Sequence, residues 1–419
     1  MAMRQPVQGW IYHPRWDITF LILSFIVAFT PYAAYLAFGG NLFDNAETVG
    51  TSAYNARVFT NTLVAVFIGG PHMYATFTRT LMDPVVFARK KYLYIFTAIA
   101  VPIFVFSMAI ISYTTYVWLL TIFFGMASVH ALHQIMWISG AYDLSRNRAA
   151  TMFSKFIDYG VVFASLYPVP IWKMVNGNFR IGPVSLAIND LVYGWNWLAY
   201  AAWAFFAVMV FLFIAKSVRE WRLGTLHRGK TLLIFVTVNV MFWMMFLPNT
   251  DTAAQGINTW HSFQYLALTW YAHKLIEKRD GKELGFMHFW RNLYNKAKEQ
   301  SSSRFGVLRN FVKEFSAAMR KIDGDTGWSS FYLLTIAMLP VSSIIVIVTG
   351  ALLPNLHNGA PGADEAYTYM GLLSILLIHY VHDGLLFTDP EDLILEDKET
   401  AQQENDQPLT SPAPELATA

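Results

Sequence analysis

The chain has 419 residues, of which 55% are hydrophobic, 16% aromatic and only 14% charged, with a formal net charge of +2. Soluble domains carry about a quarter charged residues, so the composition is that of a polytopic membrane protein, and so small a net charge offers nothing to nucleic acid. Cysteine is absent, which excludes disulfides, thiolate zinc sites, cysteine-held iron–sulfur clusters and thiolate-ligated haem.

Met1 to Arg15 is polar and shows no cleavable signal, and the first apolar run is too long for one. Counting windows of about 20 apolar residues predicts ten transmembrane helices, over 17–38, 57–77, 92–112, 116–138, 157–174, 193–215, 231–248, 254–273, 329–350 and 367–388. Lysine and arginine crowd alternate loops: Arg79, Arg89, Lys90 and Lys91, then Arg146, Arg148 and Lys155, then Lys216 to Lys230, then Lys274 to Lys321. The loops 39–56, 249–253 and 351–366 contain neither, and 175–192 contains only Arg180. The positive-inside rule then puts both termini in the cytoplasm of what is expected to be a bacterial inner-membrane protein. The expected fold class is all-α, a polytopic bundle of about ten spans over residues 1–388.

A mixed-charge segment at 278–328, with Phe305, Leu308, Val312 and Phe315 at helical spacing, predicts a cytoplasmic helical insertion, either a solvated linker or helices lying on the anionic leaflet. The tail 389–419 is acidic, then rich in Pro, Ser, Thr and Gln, and has too little apolar surface to fold.

Two apolar runs carry the same unusual face, His130-x-x-His133-Gln134 and His379-x-x-His382-Asp383. Positions i, i+3 and i+4 share one side of a helix, and ionisable groups inside spans are rare and costly. His72 and His261 lie in two further even-numbered spans, which all run in the same direction. At 1.5 Å per residue from the cytoplasmic end, His72, His133 and His382 lie roughly 10 Å deep, His130 and His379 one turn deeper, and His261 roughly 20 Å deep. The candidate metal ligands are therefore His72, His130, His133, His261, His379, His382 and Asp383, in one layer of the membrane. Gln134 and Gln264 are placed to hold ligand imidazoles in orientation. Gly69-Gly70-Pro71 is expected to open the helix before His72, and the eighth span to be broken or tilted near Gly256 and Asn258. His273, beside Lys274, is expected at the interface. Taken singly, a histidine such as His72 or His261 is as readily an interhelical hydrogen-bond partner.

Imidazole with carboxylate suits iron, zinc, copper or manganese, and one iron or two bridged irons could be accommodated. Phe123, Phe124, Trp137, Trp260, Phe263, Tyr265 and Tyr380 flank the histidines and would either line an apolar cavity or pack the helices. With its many spans, no cysteine and short-spaced histidine pairs near the cytoplasmic face, the chain resembles membrane-bound non-haem iron oxygenases. It departs from the histidine-box desaturases and hydroxylases, whose H-x-x-x-H and H-x-x-H-H clusters lie mostly in cytoplasmic segments. It looks closer to the Brp/Blh-type β-carotene cleaving dioxygenases, whose iron is held by histidines from several transmembrane helices. That resemblance covers the span pattern and the histidines, and carries over no substrate. It implies a non-haem iron oxidoreductase acting with O2; the flanking aromatics and the depth of the histidines lead instead to the expectation of an apolar lipid or carotenoid-like substrate entering from the cytoplasmic leaflet, with a cytosolic or membrane electron donor.

Three other classes compete. A haem-b electron carrier could use His72 with His261 as axial ligands, but leaves both H-x-x-H faces unexplained. A proton- or metal-coupled transporter would use intramembrane His and Asp, with a polar ladder through both halves of the membrane. A membrane-bound acyltransferase is suggested by Phe289-Trp290-Arg291-Asn292 and a later intramembrane histidine, and would need only one.

Overall fold

Helices account for almost all the regular structure in the computed structural model, which describes residues 9–42, 49–145, 150–248, 250–299, 306–324 and 326–386. The first is irregular: α1 (Pro14–Trp16) passes through a π turn and a 3-10 segment, Leu23–Phe29, into α2 (Thr30–Ala37). Then come α3 (Ser52–Val64), α4 (Gly70–Thr80), α5 (Pro84–Ile111), α6 (Tyr113–Ser145), α7 (Met152–Leu166) and α8 (Pro168–Val175). A two-stranded antiparallel hairpin, β1 (Arg180–Ile181) and β2 (Val184–Ser185), precedes α9 (Ile188–Val192), α10 (Asn196–Arg222), α11 (Arg228–Met244) and α12 (Thr250–Asp280). The chain continues through α13 (Phe289–Glu299), α14 (Gly306–Asp323), α15 (Trp328–Ala337) and α16 (Pro340–Leu352) to α17 (Ala366–Leu386).

Six helical stretches among the described residues are long and apolar enough to cross a bilayer: Pro14–Ala37, Val86–Ile111, Tyr113–Ser145, Asn196–Arg222, Trp328–Leu352 and Ala363–Leu386. The other four windows also fold as helices, α3 with α4, α7 with α8, α11, and α12, but fall short in length or hydropathy. The reason is chemical in α4 and α12. They carry Thr76, Thr78 and Thr80, and Asp251, Gln255, Asn258, His261 and Gln264, all at most partly exposed, where the bundle rather than lipid surrounds them.

Two local features set the centre of the bundle. Between α3 and α4 the chain makes a π turn, Ala65–Gly69, and Pro71 sits in the first turn of α4. The helix thus opens where Gly69-Gly70-Pro71 predicts, as wide turns often do beside functional groups. A Cβ on Gly70 would lie 2.2 Å from Leu339 Cδ2, so glycine lets α4 approach the α15–α16 junction. Helix α12, by contrast, is unbroken through Gly256 and Asn258. Gly256 serves contact instead, since a Cβ there would meet Ala28 O and Met244 Cε, each at 2.4 Å. Helices α4, α6, α12 and α17 surround the histidines, with α5 and α16 packed behind α17. In the predicted insertion, α13 and α14 pack on each other, Trp290 meeting Phe315 edge to face at 5.5 Å. Phe305 and the tail 389–419 lie outside the described residues.

Candidate metal centre

One imidazole from each of four helices converges at the centre of the bundle: His72 from α4, His130 from α6, His261 from α12 and His379 from α17. All four are buried. Ring centres are 4.4 Å apart for His72 and His379, 4.8 Å for His72 and His261, 4.8 Å for His130 and His261, 4.8 Å for His130 and His379, and 6.0 Å for His72 and His130. Nitrogens of His72, His130 and His379 lie within 4.8 Å of one another, and the Nε2 atoms of His72 and His379 face each other at 2.7 Å. An imidazole bound at about 2.1 Å has its ring centre roughly 3.2 Å from the ion, so two ligand rings stand roughly 4.5 Å apart at right angles and roughly 6.4 Å apart when opposite. The observed separations fall in that range, and the nitrogens of His72, His130 and His379 come close enough to share a single ion, while His261 stands against this trio through ring contacts with His72 and His130.

The hydrogen bonding points the same way. His72 Nδ1, His130 Nε2, both ring nitrogens of His261 and Asp383 Oδ2 are buried with no hydrogen-bond partner. Unpaired buried polar atoms are costly, and here they gather in one place. Chemistry and spacing together fit a transition metal taking neutral nitrogen donors.

Beside the imidazoles lies a closed set of hydroxyl and carboxyl groups. Thr76 Oγ1 contacts His379 Nδ1 at 2.6 Å and donates to Asp383 Oδ1 at 2.7 Å, and Tyr265 OH donates to the same oxygen at 2.6 Å. Asp383 Oδ2 stands 3.7 Å from His379 Nδ1 and 3.8 Å from His130 Nε2. This arrangement fixes the His379 ring and sets a carboxylate beside the cluster.

The two repeated faces divide. In both, the histidine at i joins the cluster with the polar residue at i+4, His379 with Asp383 and His130 with Gln134. The histidine at i+3 points elsewhere: a residue four along is rotated roughly 40° from the first and one three along roughly 60° the other way, and packing turns the i+4 flank toward the cluster. His382 packs between Tyr94 and Phe77, with Thr97 Oγ1 2.9 Å from its Nε2. His133 is partly exposed and is not among the clustered rings. Gln134 Nε2 donates to the backbone carbonyl of His261 at 3.2 Å rather than to its ring, and Gln264 Nε2 donates to Leu21 O at 2.6 Å. These glutamines therefore pin α6 and α1–α2 to α12. His273 is buried among the helices, with Thr78 Oγ1 at 2.8 Å from Nε2.

Thr76 and Tyr265 belong to the site without having been singled out for it. Both stand at i+4 from a cluster histidine, Thr76 from His72 and Tyr265 from His261, so all four helices carry the same pair of a histidine followed one turn later by a hydrogen-bonding side chain. That shared spacing was the signal available in the sequence.

A cavity of about 450 Å³ adjoins the cluster, touching His72, His130 and His261. Its walls include Phe123, Phe124, Tyr380, Leu372 and Leu376. Trp137 and Trp260 are core residues, Trp260 Nε1 donating to Ser24 Oγ at 3.1 Å, and Phe263 stacks on Phe20 at 5.8 Å. The cavity runs from the histidines toward Phe179, Ile181, Ile188 and Asp251, the end of the bundle whose loops are poor in Lys and Arg. An approach from the opposite, basic-loop end is thus not what its shape provides. At the far end Arg57 is fully buried, 2.7 Å from Asp251 Oδ2 and paired with Glu365, and the hairpin turn at Gly182 covers it.

Comparison with family models, with curated proteins and with solved structures finds no match to this chain.

Proposed function

We propose that His72, His130, His261 and His379 hold one transition-metal ion, with iron the first candidate, in an integral-membrane oxidoreductase that acts with O2 on a long apolar molecule in the adjoining cavity. The observation that carries this reading is the convergence of four imidazoles from four helices, three of them (His72, His130 and His261) with unpartnered nitrogens, at the end of an aromatic-walled cavity. Iron bound by imidazole supplies one-electron and O2 chemistry. The chain's own residues do the rest: Asp383, held by Thr76 and Tyr265, keeps a negative charge beside the cluster and fixes His379, while Phe123, Phe124, Leu376 and Tyr380 hold an apolar chain against the histidines and keep bulk water out.

A haem-b reading fits less well. His72 and His261, the pair expected to be axial, stand only 4.8 Å apart, too close for opposite ligands; His72 and His130, at 6.0 Å, are spaced almost as an axial pair, but His261 and His379 lie 4.4 to 4.8 Å from them, where the macrocycle would need to pass. Transport of a metal ion or protons is favoured by one feature, the stripe Asp251, Gln255, Asn258 and His261 at i, i+4, i+7 and i+10 of α12, all of which touch the cavity. Together with Thr76 and Asp383 on the other side of the histidines, this gives polar groups in both halves of the bundle. Lipid extracts of cells with and without the gene distinguish the two. The oxidoreductase reading predicts a molecule gaining oxygen, losing two hydrogens or being cleaved, and only under air. The same difference under strict anaerobiosis, or metal uptake into vesicles with unchanged lipids, would remove it.

A further inference from the structure

The cavity beside the histidines has a mouth, and it opens on the side of the bundle. Gly125 lines the cavity and is also exposed at the outer surface of α6. It belongs to the same exposed stripe as Ile122, 36% exposed, and Val129, 58% exposed. A Cβ on Gly125 would meet nothing within 4 Å. Because α6 is one of the six stretches apolar enough to cross a bilayer, that surface faces hydrocarbon. Gly125 is five residues before His130 and so roughly 7.5 Å along the helix from it, roughly 22 Å from the cytoplasmic end of the span, in the half of the membrane toward the loops poor in Lys and Arg.

The opposite side of the mouth has its own cause in the sequence, Leu166-Tyr167-Pro168-Val169-Pro170. Proline has no N–H, so neither Pro168 nor Pro170 can continue the hydrogen bonding of α7, and the helix breaks. The break separates α7 from α8 at Tyr167. Tyr167 OH reaches across the mouth to Ser128 Oγ at 3.1 Å, and Ile171, one turn into α8, completes the rim. At the far end, Asp251 of the cavity wall is paired with the buried Arg57, which also meets Glu365.

Resting on the oxidoreductase reading above, we propose that the substrate is a molecule dissolved in the bilayer, with an alkyl or polyene chain. It enters sideways between α6 and the α7–α8 break, through an opening at Gly125 gated by the Tyr167–Ser128 contact.

The absence of cysteine from the chain makes the test clean. A single cysteine is placed at Leu376, inside the cavity, in chelator-stripped protein reconstituted in vesicles. It is treated either with N-dodecylmaleimide in the bilayer or with the anionic sulfonatoethyl methanethiosulfonate in the water. The alkyl reagent should react and the anionic one should not. Adding Gly125→Trp or Ser128→Phe should slow the alkyl reaction by about tenfold, the effect of a barrier about 1.4 kcal/mol higher, and Tyr167→Ala should speed it. Ile347→Trp, at a lipid-facing position of α16 that is 69% exposed, should change nothing. Equal reaction with the aqueous reagent, or an alkyl rate indifferent to both Gly125→Trp and Ser128→Phe, would overturn the lateral route. No metal is needed in this experiment, so its failure is separate from failure of the metal reading, which elemental analysis decides.

Discussion

Replacing Asp383 by asparagine removes one charge and almost no shape. Its carboxylate is fully buried, with Oδ1 accepting from Thr76 Oγ1 at 2.7 Å and Tyr265 OH at 2.6 Å. An amide oxygen can accept from both hydroxyls, so the substitution should leave the bundle folded. What disappears is a carboxyl oxygen 3.7 and 3.8 Å from two imidazole nitrogens, which would carry a negative charge beside a bound cation. Across roughly 6 Å a carboxylate attracts a divalent ion by about 5 kcal/mol at an effective dielectric constant of 20, and relaxation of neighbouring dipoles recovers part of that. Substitutions behind a ligand imidazole typically weaken metal binding by about 10- to 100-fold. Asp383→Asn should fall at the upper end, near 100-fold, or about 2.7 kcal/mol. The assay is a chelator-competition titration of purified protein, with near-ultraviolet circular dichroism confirming the fold. Unchanged affinity in folded protein would refute the argument that this carboxylate serves the cluster.

His72→Ala, His130→Ala, His261→Ala and His379→Ala should each remove bound metal, whereas His133→Ala and His382→Ala should retain it, as read by elemental analysis. His382→Ala should instead lower thermal stability, since it empties a packed site against Tyr94 and Phe77, at a cost of about 2 kcal/mol or more. Arg57→Met leaves Asp251 and Glu365 buried without their partner and should cost about 3 to 5 kcal/mol, seen as a large fall in melting temperature with metal content kept in the folded fraction. Gly70→Ala forces a Cβ to 2.4 Å from the backbone oxygen of Ala65, which no rotamer change can relieve, so α4 must shift; stability should drop by about 1 to 3 kcal/mol, and displacement of His72 should weaken metal binding in the same protein.

The helical architecture and the convergence of histidines from α4, α6, α12 and α17 were legible because long apolar runs and intramembrane ionisable groups are strong signals, although counting residues from the span ends put His72 and His261 roughly 10 Å apart in depth where their rings in fact meet. The number of spans was less so. Six stretches pass on length and hydropathy, while α4 and α12 hold the polar side chains of the site and lose apolar character for that reason. Within the histidine faces, helical spacing alone could not say which of i+3 and i+4 turns toward the cluster, since both share a side with i. Packing decides it, seating His382 against α5 and Asp383 against Thr76 and Tyr265. The partners Thr76 and Tyr265 were hidden by their types: a threonine and a tyrosine in an apolar helix pass for packing until the i+4 relation to His72 and His261 is noticed. The break at Tyr167 was masked by treating 157–174 as one apolar window, although its two prolines mark it.

The central claim is that four imidazoles hold one ion. Elemental analysis of the protein purified from cells grown with iron, manganese, copper and zinc tests it directly. The account predicts about one transition-metal equivalent per chain, no Soret band, and loss of that ion in His261→Ala while Gln264→Ala keeps it. Protein that carries no ion under those conditions, or a His261→Ala variant with the full amount, would contradict it.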